Sequence, residues 1–241
     1  KTEIRGNENT IKKGYAFDEF NKGVETASSF ARRNNAFLVI SGSNGTEGLQ
    51  IKDGNLVSNT GDSKDTRAIL DDGIIKVFEN AINDTEGIKH TFTVGNGLII
   101  NGVKKTSFEN DDVFPRQAIG QRSDGSLVII TARGSNEEFS QGFYLSELAD
   151  LMEQENCIEA YELGNVDTLQ FFIDNNYQDI YFDGVERKTH DFLYMTSDVI
   201  DIVDSSRDSV IQSELVQLQA SEADIYKVNA PGKGMTIGTN S

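Results

Sequence analysis

The sequence predicts an α+β domain, a mixed, mostly antiparallel sheet carrying two main helices. Three observations predict it. Short apolar runs recur along the chain, several separated by Asp-Gly or Asn-Gly pairs, which mark hairpins because tight turns need positive φ. Two stretches instead place apolar residues three and four apart, the helical spacing. The 241 residues hold 22 glycines, 2 prolines and 37% hydrophobic residues, a globular composition long enough for one large domain or two small ones.

The elements follow in order. Residues 1–14 are polar and charged and read as a connector. Tyr15, Phe17, Phe20, Val24, Ala27 and Phe30/Ala31 trace a helix over 15–34, with Arg32 and Arg33 at the end where cations suit the helix dipole. AFLVIS (36–41) is an unbroken apolar run, hence a buried strand, and it empties into the glycine-rich GSNGTEG. LQIKDGNLV (49–57), AILDDGIIKVF (68–78) and TFTVGNGLIINGVKK (91–105) repeat one grammar of strand, Asp-Gly or Asn-Gly turn, and strand. QAIGQRSDGSLVII brings another Asp-Gly pair. YLSELADLMEQEN (144–156) is the second helix, with Leu145, Leu148, Leu151 and Met152 on one face. IEAYEL (158–163), LQFFID (169–174) and FLYM (192–195) complete the strands of a domain bounded at 15–197.

Residues 198–241 read as a linker with one short helix. Ile211, Leu215, Leu218 and Ile225 fall on a heptad-like seam that Glu222 interrupts. Barely two heptads do not stand alone. The seam is either an oligomerising stalk, with a trimer among the options, or one apolar face of a surface helix.

Charge and cysteine content exclude several classes. The formal charge of −17 argues against a duplex nucleic-acid binder, which needs a basic face. Cys157 is the single cysteine, so no intrachain disulfide is possible. No apolar run approaches the roughly 20 residues that a membrane-spanning helix needs. The sequence starts at Lys1 without a signal peptide and reads as a fragment or processed piece of a longer protein.

Several motifs fall short of a chemistry. GSNGTEG has glycines spaced three apart and does not open a helix, so it is not a dinucleotide fingerprint. APGKGMT (230–236) lacks the spacing of a phosphate loop. His90 and His190 lie far apart in sequence, outside any metal-ligand spacing. The pairs Asp71-Asp72 and Asp111-Asp112 read as solvated turns. Cys157 reads as a buried thiol. No metal or cofactor is implied.

One order of motifs carries more. A buried strand enters a glycine loop (AFLVISGSNG), followed by EGLQIKDG, VGNGLIINGV, FPRQAIGQRSDGSLVII, SQGFYLSELADLM, IEAYELG and VERKTHDFLYM. This order resembles the phosphodiester glycosidase family over about residues 36–197. Its most specific parts are P-R-x-A-I-G-x-x-x-D-G-x-L and the helix after it. The resemblance implies binding of a sugar phosphodiester, with Arg116 and Arg187 at the family's arginine positions. A guanidinium fork suits the paired oxygens of a phosphodiester, and amides around Ser41, Gly42, Ser43 and Asn44 could add donors. By its chemistry alone, Arg116 is either such a ligand or half of an ion pair with a nearby acid.

The same comparison implies a degenerate catalytic part. Where members show Asn-Gly-Gly and an aromatic, this chain has Ser41-Gly42-Ser43-Asn44. Where members show Asn-Leu-Asp-Gly-Gly-Gly-Ser, it has Glu162-Leu163-Gly164-Asn165-Val166-Asp167-Thr168, with glycine at the carboxylate position. Glycosidic cleavage needs a placed carboxylate. Glu162 or Asp167 are the candidates to replace it, and a displacement of ~1 Å can cost ~100-fold in rate. Asn165 joins the expected binding wall.

Three functions follow as expectations. The first is a non-catalytic or weakly catalytic module of a phage tail or baseplate protein that grips a cell-surface glycosyl phosphodiester polymer such as teichoic acid. Its partners would be the cell-wall glycan and other virion proteins, and its location the virion or the extracellular space. The second is an active hydrolase of sugar-1-phosphodiesters, and the third a purely architectural virion domain.

Overall fold

The computed structural model describes residues 11–43, 48–60, 66–78, 85–134 and 142–196, with the backbone of two further strands at 223–228 and 237–238. Strand β1 (Lys12–Tyr15) leads through a short 3-10 turn to helix α1 (Ala27–Asn34) and strand β2 (Ala36–Ser41). Then come β3 (Leu49–Lys52), β4 (Asn55–Asn59), β5 (Thr66–Leu70), β6 (Ile75–Val77) and β7 (Ile88–Thr93). They are followed by β8 (Gly97–Ile100), β9 (Val103–Lys104), β10 (Arg116–Arg122), β11 (Leu127–Ala132) and helix α2 (Leu145–Gln154). The chain closes with β12 (Cys157–Leu163), β13 (Phe171–Ile173), β14 (Asn176–Tyr177), β15 (Asp191–Thr196), β16 (Ala223–Val228) and β17 (Ile237–Gly238).

Two large sheets face each other. One runs β1-β15-β2-β13-β14 and the other β17-β16-β11-β10-β12-β8-β9. Strand alternation divides each into two faces. Leu38, Ile40, Phe171 and Leu193 from the first sheet meet Ile119, Ile129, Tyr161 and Leu163 from the second in the central core. The opposite face of the first sheet, with Val39, Phe172 and Phe192, packs against Phe30 and Ala31 of α1. The opposite face of the second, with Ala118, Val128, Ile130 and Ala160, packs against Leu145, Leu148, Ala149 and Met152 of α2. The layers are therefore helix, sheet, sheet, helix. The hairpin β3-β4 and the sheet β6-β5-β7 adjoin them, with Ile69, Ile75 and Phe92 entering the central core.

The two helices and the antiparallel strand pairing agree with the sequence reading, although strands outweigh helices. The sheets are not mixed: every strand ladder among the described residues is antiparallel. Nor is there one sheet, since β2 belongs to the first layer while β11 and β12 share the second.

Three further expectations are corrected. Residues 12–14, read as connector, form most of β1 and pair with β15. The helix expected over 15–34 forms only from Ala27, behind an N-cap Thr26 whose hydroxyl accepts from Ser29 N at 3.3 Å. Its first half is irregular because it wraps around Glu25. That buried carboxylate takes the Phe17 N–H, the Ser29 hydroxyl and the Arg33 guanidinium, and Phe17, Asp18 and Asn21 adopt positive φ to close the wrap. Phe17 and Val24, counted on the helix face, are exposed. Finally Ile225, read on the helical seam, lies in β16 opposite Ile130 of β11. The other seam residues, Ile211, Leu215 and Leu218, lie outside the described residues.

Asp53-Gly54 and Asn101-Gly102 turn as their sequences require, with φ of 51° and 75°, and 50° and 75°. Asn96-Gly97, another pair read in that grammar, is not a hairpin turn. It carries the chain from β7 across to β8 in a different sheet.

Candidate functional site

Pro115 precedes β10, where a missing N–H costs nothing, and Arg116 opens the strand. Alternation sends neighbouring side chains to opposite faces. Arg116 goes to the α2 side, and Gln117 goes inward toward β2.

Arg116 is only 4% exposed. Its Nε donates to the Phe143 carbonyl (2.9 Å), one terminal nitrogen to Glu162 Oε1 (2.5 Å) and the other to the Asp112 carbonyl (2.7 Å). Glu162 faces Ala118 in the ladder, so it is a diagonal neighbour of Arg116 on the same face. Its other oxygen accepts from Asn96 Nδ2 at 2.7 Å. Arg116 also lies against the Phe114 ring, 5.6 Å from its centroid. Of the two alternatives for Arg116, the structure shows the ion pair, with Glu162. Breaking such a buried pair costs several kcal/mol, because one charge is left without a partner.

Gln117 begins a polar line through the core. Its Oε1 accepts from Ser41 N (2.9 Å), and its Nε2 donates to Thr131 Oγ1 (2.9 Å) and the Gln170 carbonyl (3.0 Å). Ser41 Oγ accepts from Gln170 N (2.8 Å), and Gln170 Oε1 accepts from Ala27 N at the start of α1 (3.1 Å). Buried polar groups satisfied in this way fix two layers relative to each other.

Gly164 ends β12 with φ of +66°, and a Cβ there would lie 2.7 Å from the Ser41 Cβ. Thus at Ser41 and Gly164, two of the departures from the family pattern, the side chain of one fills the space a side chain at the other would need. Any side chain at position 164 would have to displace the start of the glycine loop.

The loop itself is held from below. Lys13 of β1 is fully buried. It forms an ion pair with Asp191 and donates to Ser43 Oγ at 2.5 Å. Asp191 Oδ1 accepts from Ser43 N (2.9 Å), and Ser43 Oγ also accepts from Thr93 N (3.2 Å). Burial pulls the Lys13 pKa down, against the opposing pull of Asp191. The amides of Ser41 and Ser43 therefore point into the protein rather than toward a ligand. Gly42 sits so close to Asp191 that a Cβ would lie 2.6 Å from its Oδ1. Asn44 lies outside the described residues.

The remaining sequence candidates make their hydrogen bonds and ring contacts with groups other than Arg116. Asn165 and Asp167 are exposed in one turn, where Asn165 Oδ1 accepts from Asp167 N at 3.0 Å. Arg187 pairs with Asp183 (2.6 Å) and stacks on Tyr181 at 4.5 Å. Tyr181 in turn donates to the Val166 carbonyl of that turn at 2.8 Å. Neighbouring Glu186 caps α1, accepting from Ser28 N (2.6 Å) and Ser28 Oγ (2.5 Å). The structure unites Arg116 with Glu162 and Ser41 with Gly164. It links Arg187 to the Asn165–Asp167 turn only through Tyr181.

Lys13, Asp191, Asn96, Gln117 and Phe114 were not singled out by sequence. Asn96 looked like a turn residue and Lys13 like part of a connector, and only the pairing of distant strands gives them roles. His90 has a structural place. His90 is buried and its pKa is pushed down to about 4 by that burial, while Nδ1 accepts from Asp53 N at 3.2 Å. Among the described residues no three His, Cys, Asp or Glu side chains gather as a metal site.

The SPbeta prophage-derived uncharacterized protein YomE of Bacillus subtilis (strain 168) is 32% identical over 214 residues, covering 76% of this chain and 33% of that protein. The chain therefore spans about a third of that relative's length. The catalytic domain of zebrafish N-acetylglucosamine-1-phosphodiester alpha-N-acetylglucosaminidase, auto-inhibited by its pro-peptide, shares the fold. It matches with a TM-score of 0.66 and 15% identity over 80% of this chain and 75% of that one. A hypothetical protein from Synechocystis matches with a TM-score of 0.62 and 10% identity over 79% of this chain and 58% of that one. The sequence profile of the phosphodiester glycosidase family covers residues 26–196. That span holds both helices, most strands of the facing sheets and the Arg116–Glu162 pair, and the chain belongs to the phosphodiester glycosidase family.

Proposed function

We propose that this domain is a module of a phage tail or baseplate protein that engages a glycosyl phosphodiester polymer of the cell surface, such as teichoic acid, with little hydrolysis. The prophage origin of its relative supports the setting. On this reading its partners are the cell-wall glycan and other virion proteins, it acts in a homo-oligomer, and its location is the virion or the extracellular space. No helix among the described residues is long and apolar enough to cross a membrane.

The observation that carries weak catalysis is the closure of Gly164 against Ser41. A carboxylate at position 164 would need both the left-handed backbone and the space Ser41 fills. Glu162 is the buried carboxylate beside Arg116, and both its oxygens already hold hydrogen bonds. A carboxylate so held is a poor nucleophile and a poor proton source, because reaction would break its ion pair.

Binding rests on Arg116. Three protein acceptors engage its nitrogens, and a guanidinium offers five N–H groups. A phosphodiester can share the fork with Glu162, its internal counter-ion.

The test uses the full chain with purified wall teichoic acid and a chromogenic sugar-1-phosphodiester. Binding without turnover is expected, and Arg116→Ala should abolish binding. Wild-type turnover that Glu162→Gln stops would show Glu162 to be catalytic and overturn the reading. Neither binding nor turnover would leave the architectural role.

A further inference from the structure

The hairpin β3-β4 joins the rest of the molecule without a strand ladder. It is a two-stranded sheet of its own, beside the sheet that contains β7. Such a ribbon is marginal alone, so its attachments decide whether it stays in place. Leu49 and Ile51 pack with Ala68, Phe78 and Ile88. Thr91 Oγ1 of β7 accepts from Ile51 N at 2.8 Å and donates to the Leu49 carbonyl at 2.6 Å. At the tip of the ribbon, the Asp53-Gly54 turn gives both of its N–H groups to β7. Gly54 N donates to the Lys89 carbonyl at 2.9 Å, and Asp53 N donates to His90 Nδ1 at 3.2 Å.

The second of these bonds depends on the state of the ring. An imidazole nitrogen accepts a hydrogen bond only while it carries no proton. A backbone N–H can only donate, so the bond fixes His90 as the neutral ring with its proton on Nε2. Protonation would set a second N–H against that of Asp53. The ring is 1% exposed, so relief requires the turn or the ring to move. The Asp53 carboxylate does not compensate, since its Oδ1 lies 4.0 Å from Nε2, beyond hydrogen-bond range.

The surroundings also oppose the charge. Burial acts first, and Lys52 of the hairpin, Lys89 of β7 and Lys13 of β1 add like charge, against the attraction of Asp53. Together they hold the ring down at about 4, below its ordinary 6.5. The stability that neutral His90 contributes is therefore complete above pH 6.5 and is lost as the pH falls through 4.

We infer that His90 is an acid-sensitive latch: neutral, it fastens the turn of the β3-β4 hairpin to β7, and on taking a proton it releases that turn. The latch needs no ligand and does not depend on the binding role given to Arg116.

The experiment follows amide hydrogen exchange of the full chain between pH 7 and 4.5, with each rate corrected for the intrinsic pH dependence of exchange. In wild type, protection of the Asp53 and Gly54 N–H groups should fall about tenfold per pH unit below pH ~6, the linkage expected for one proton taken up on release. The amides of β10, paired on both sides by β11 and β12, should keep theirs. His90→Gln supplies an acceptor that takes no proton, so its turn should stay protected at pH 4.5. Asp53→Asn removes the titrating carboxylate of the turn and should leave the wild-type fall in place. Constant protection in wild type, a fall shared by His90→Gln, or a fall abolished by Asp53→Asn would overturn the latch. So would a parallel loss in β10, which would mean that the whole domain opens. If His90→Gln does not fold, the wild-type imidazole titration read by NMR decides. A midpoint near the ordinary 6.5 would overturn the latch, and one well below it, reached as the turn amides lose protection, would support it.

Discussion

At Gly164 the absence of a side chain is what the local structure demands. The residue needs φ of +66° and approaches Ser41 closely, so Gly164→Ala meets two penalties. The left-handed backbone costs about 1 kcal/mol for alanine, and the clash adds a comparable amount when the neighbour cannot yield. We expect Gly164→Ala to lower stability by ~2 kcal/mol. Ser41→Gly in the same chain should recover the steric part and not the backbone part, as measured by denaturant titration of the two singles and the double. Additive losses would mean that positions 41 and 164 do not share space. On the proposed reading, Gly164→Asp alone should not raise hydrolytic activity, for the same reason.

Among the elements, β1 does more than its four residues suggest. With Ile11 just before it, it lays Tyr15 into a buried position and inserts Lys13 beneath the glycine loop. Lys13→Met would leave Asp191 buried and uncompensated, a loss of about 3–5 kcal/mol, or roughly 10 °C in melting temperature for a domain of this size. Adding Asp191→Asn removes the stranded charge while keeping an acceptor for Ser43 N, so the double variant should regain most of the loss. If it is no more stable than Lys13→Met, the charge pair is not what holds the loop. Neither element was legible in full from the sequence. Strands with unbroken apolar runs, such as AFLVIS, and turns with Asp-Gly or Asn-Gly were readable because their cause is local. KKGY carries no such local cause, since its strand state comes from β15, which lies about 180 residues away in the ladder register. The first half of the supposed 15–34 helix misled for a related reason. Its apolar spacing fits a helix, but the buried Glu25 gathers the backbone into positive-φ turns instead. At the site, Arg116 and Glu162 could be named from the motif. Asn96, Gln117 and the Lys13–Asp191 pair could not, because each is defined by a contact between segments far apart in sequence.

In the whole molecule, the family boundaries and the physical boundaries differ. The profile covers 26–196, but β1 completes one sheet from before that span and β16 extends the other from after it. A chain cut to 26–196 would expose β15 and β11 as new sheet edges, whose unpaired backbone groups invite association. It would also leave Asp191 without Lys13, and the core without Ile11 and Tyr15. The edge at β11 is the milder loss, because that strand keeps β10 on its other side. The edge at β15 is the severe one, since charge, core and hydrogen bonds fail together there. We therefore expect 26–196 to aggregate or to melt without a sharp transition. A chain of 11–196 should melt cooperatively, several degrees below 11–238. Thermal scans by far-UV circular dichroism with light scattering on the three lengths check this. A 26–196 chain that stays monomeric and melts within a few degrees of 11–238 would show that β1 is an accessory strand and that the Lys13–Asp191 pair is dispensable to the fold.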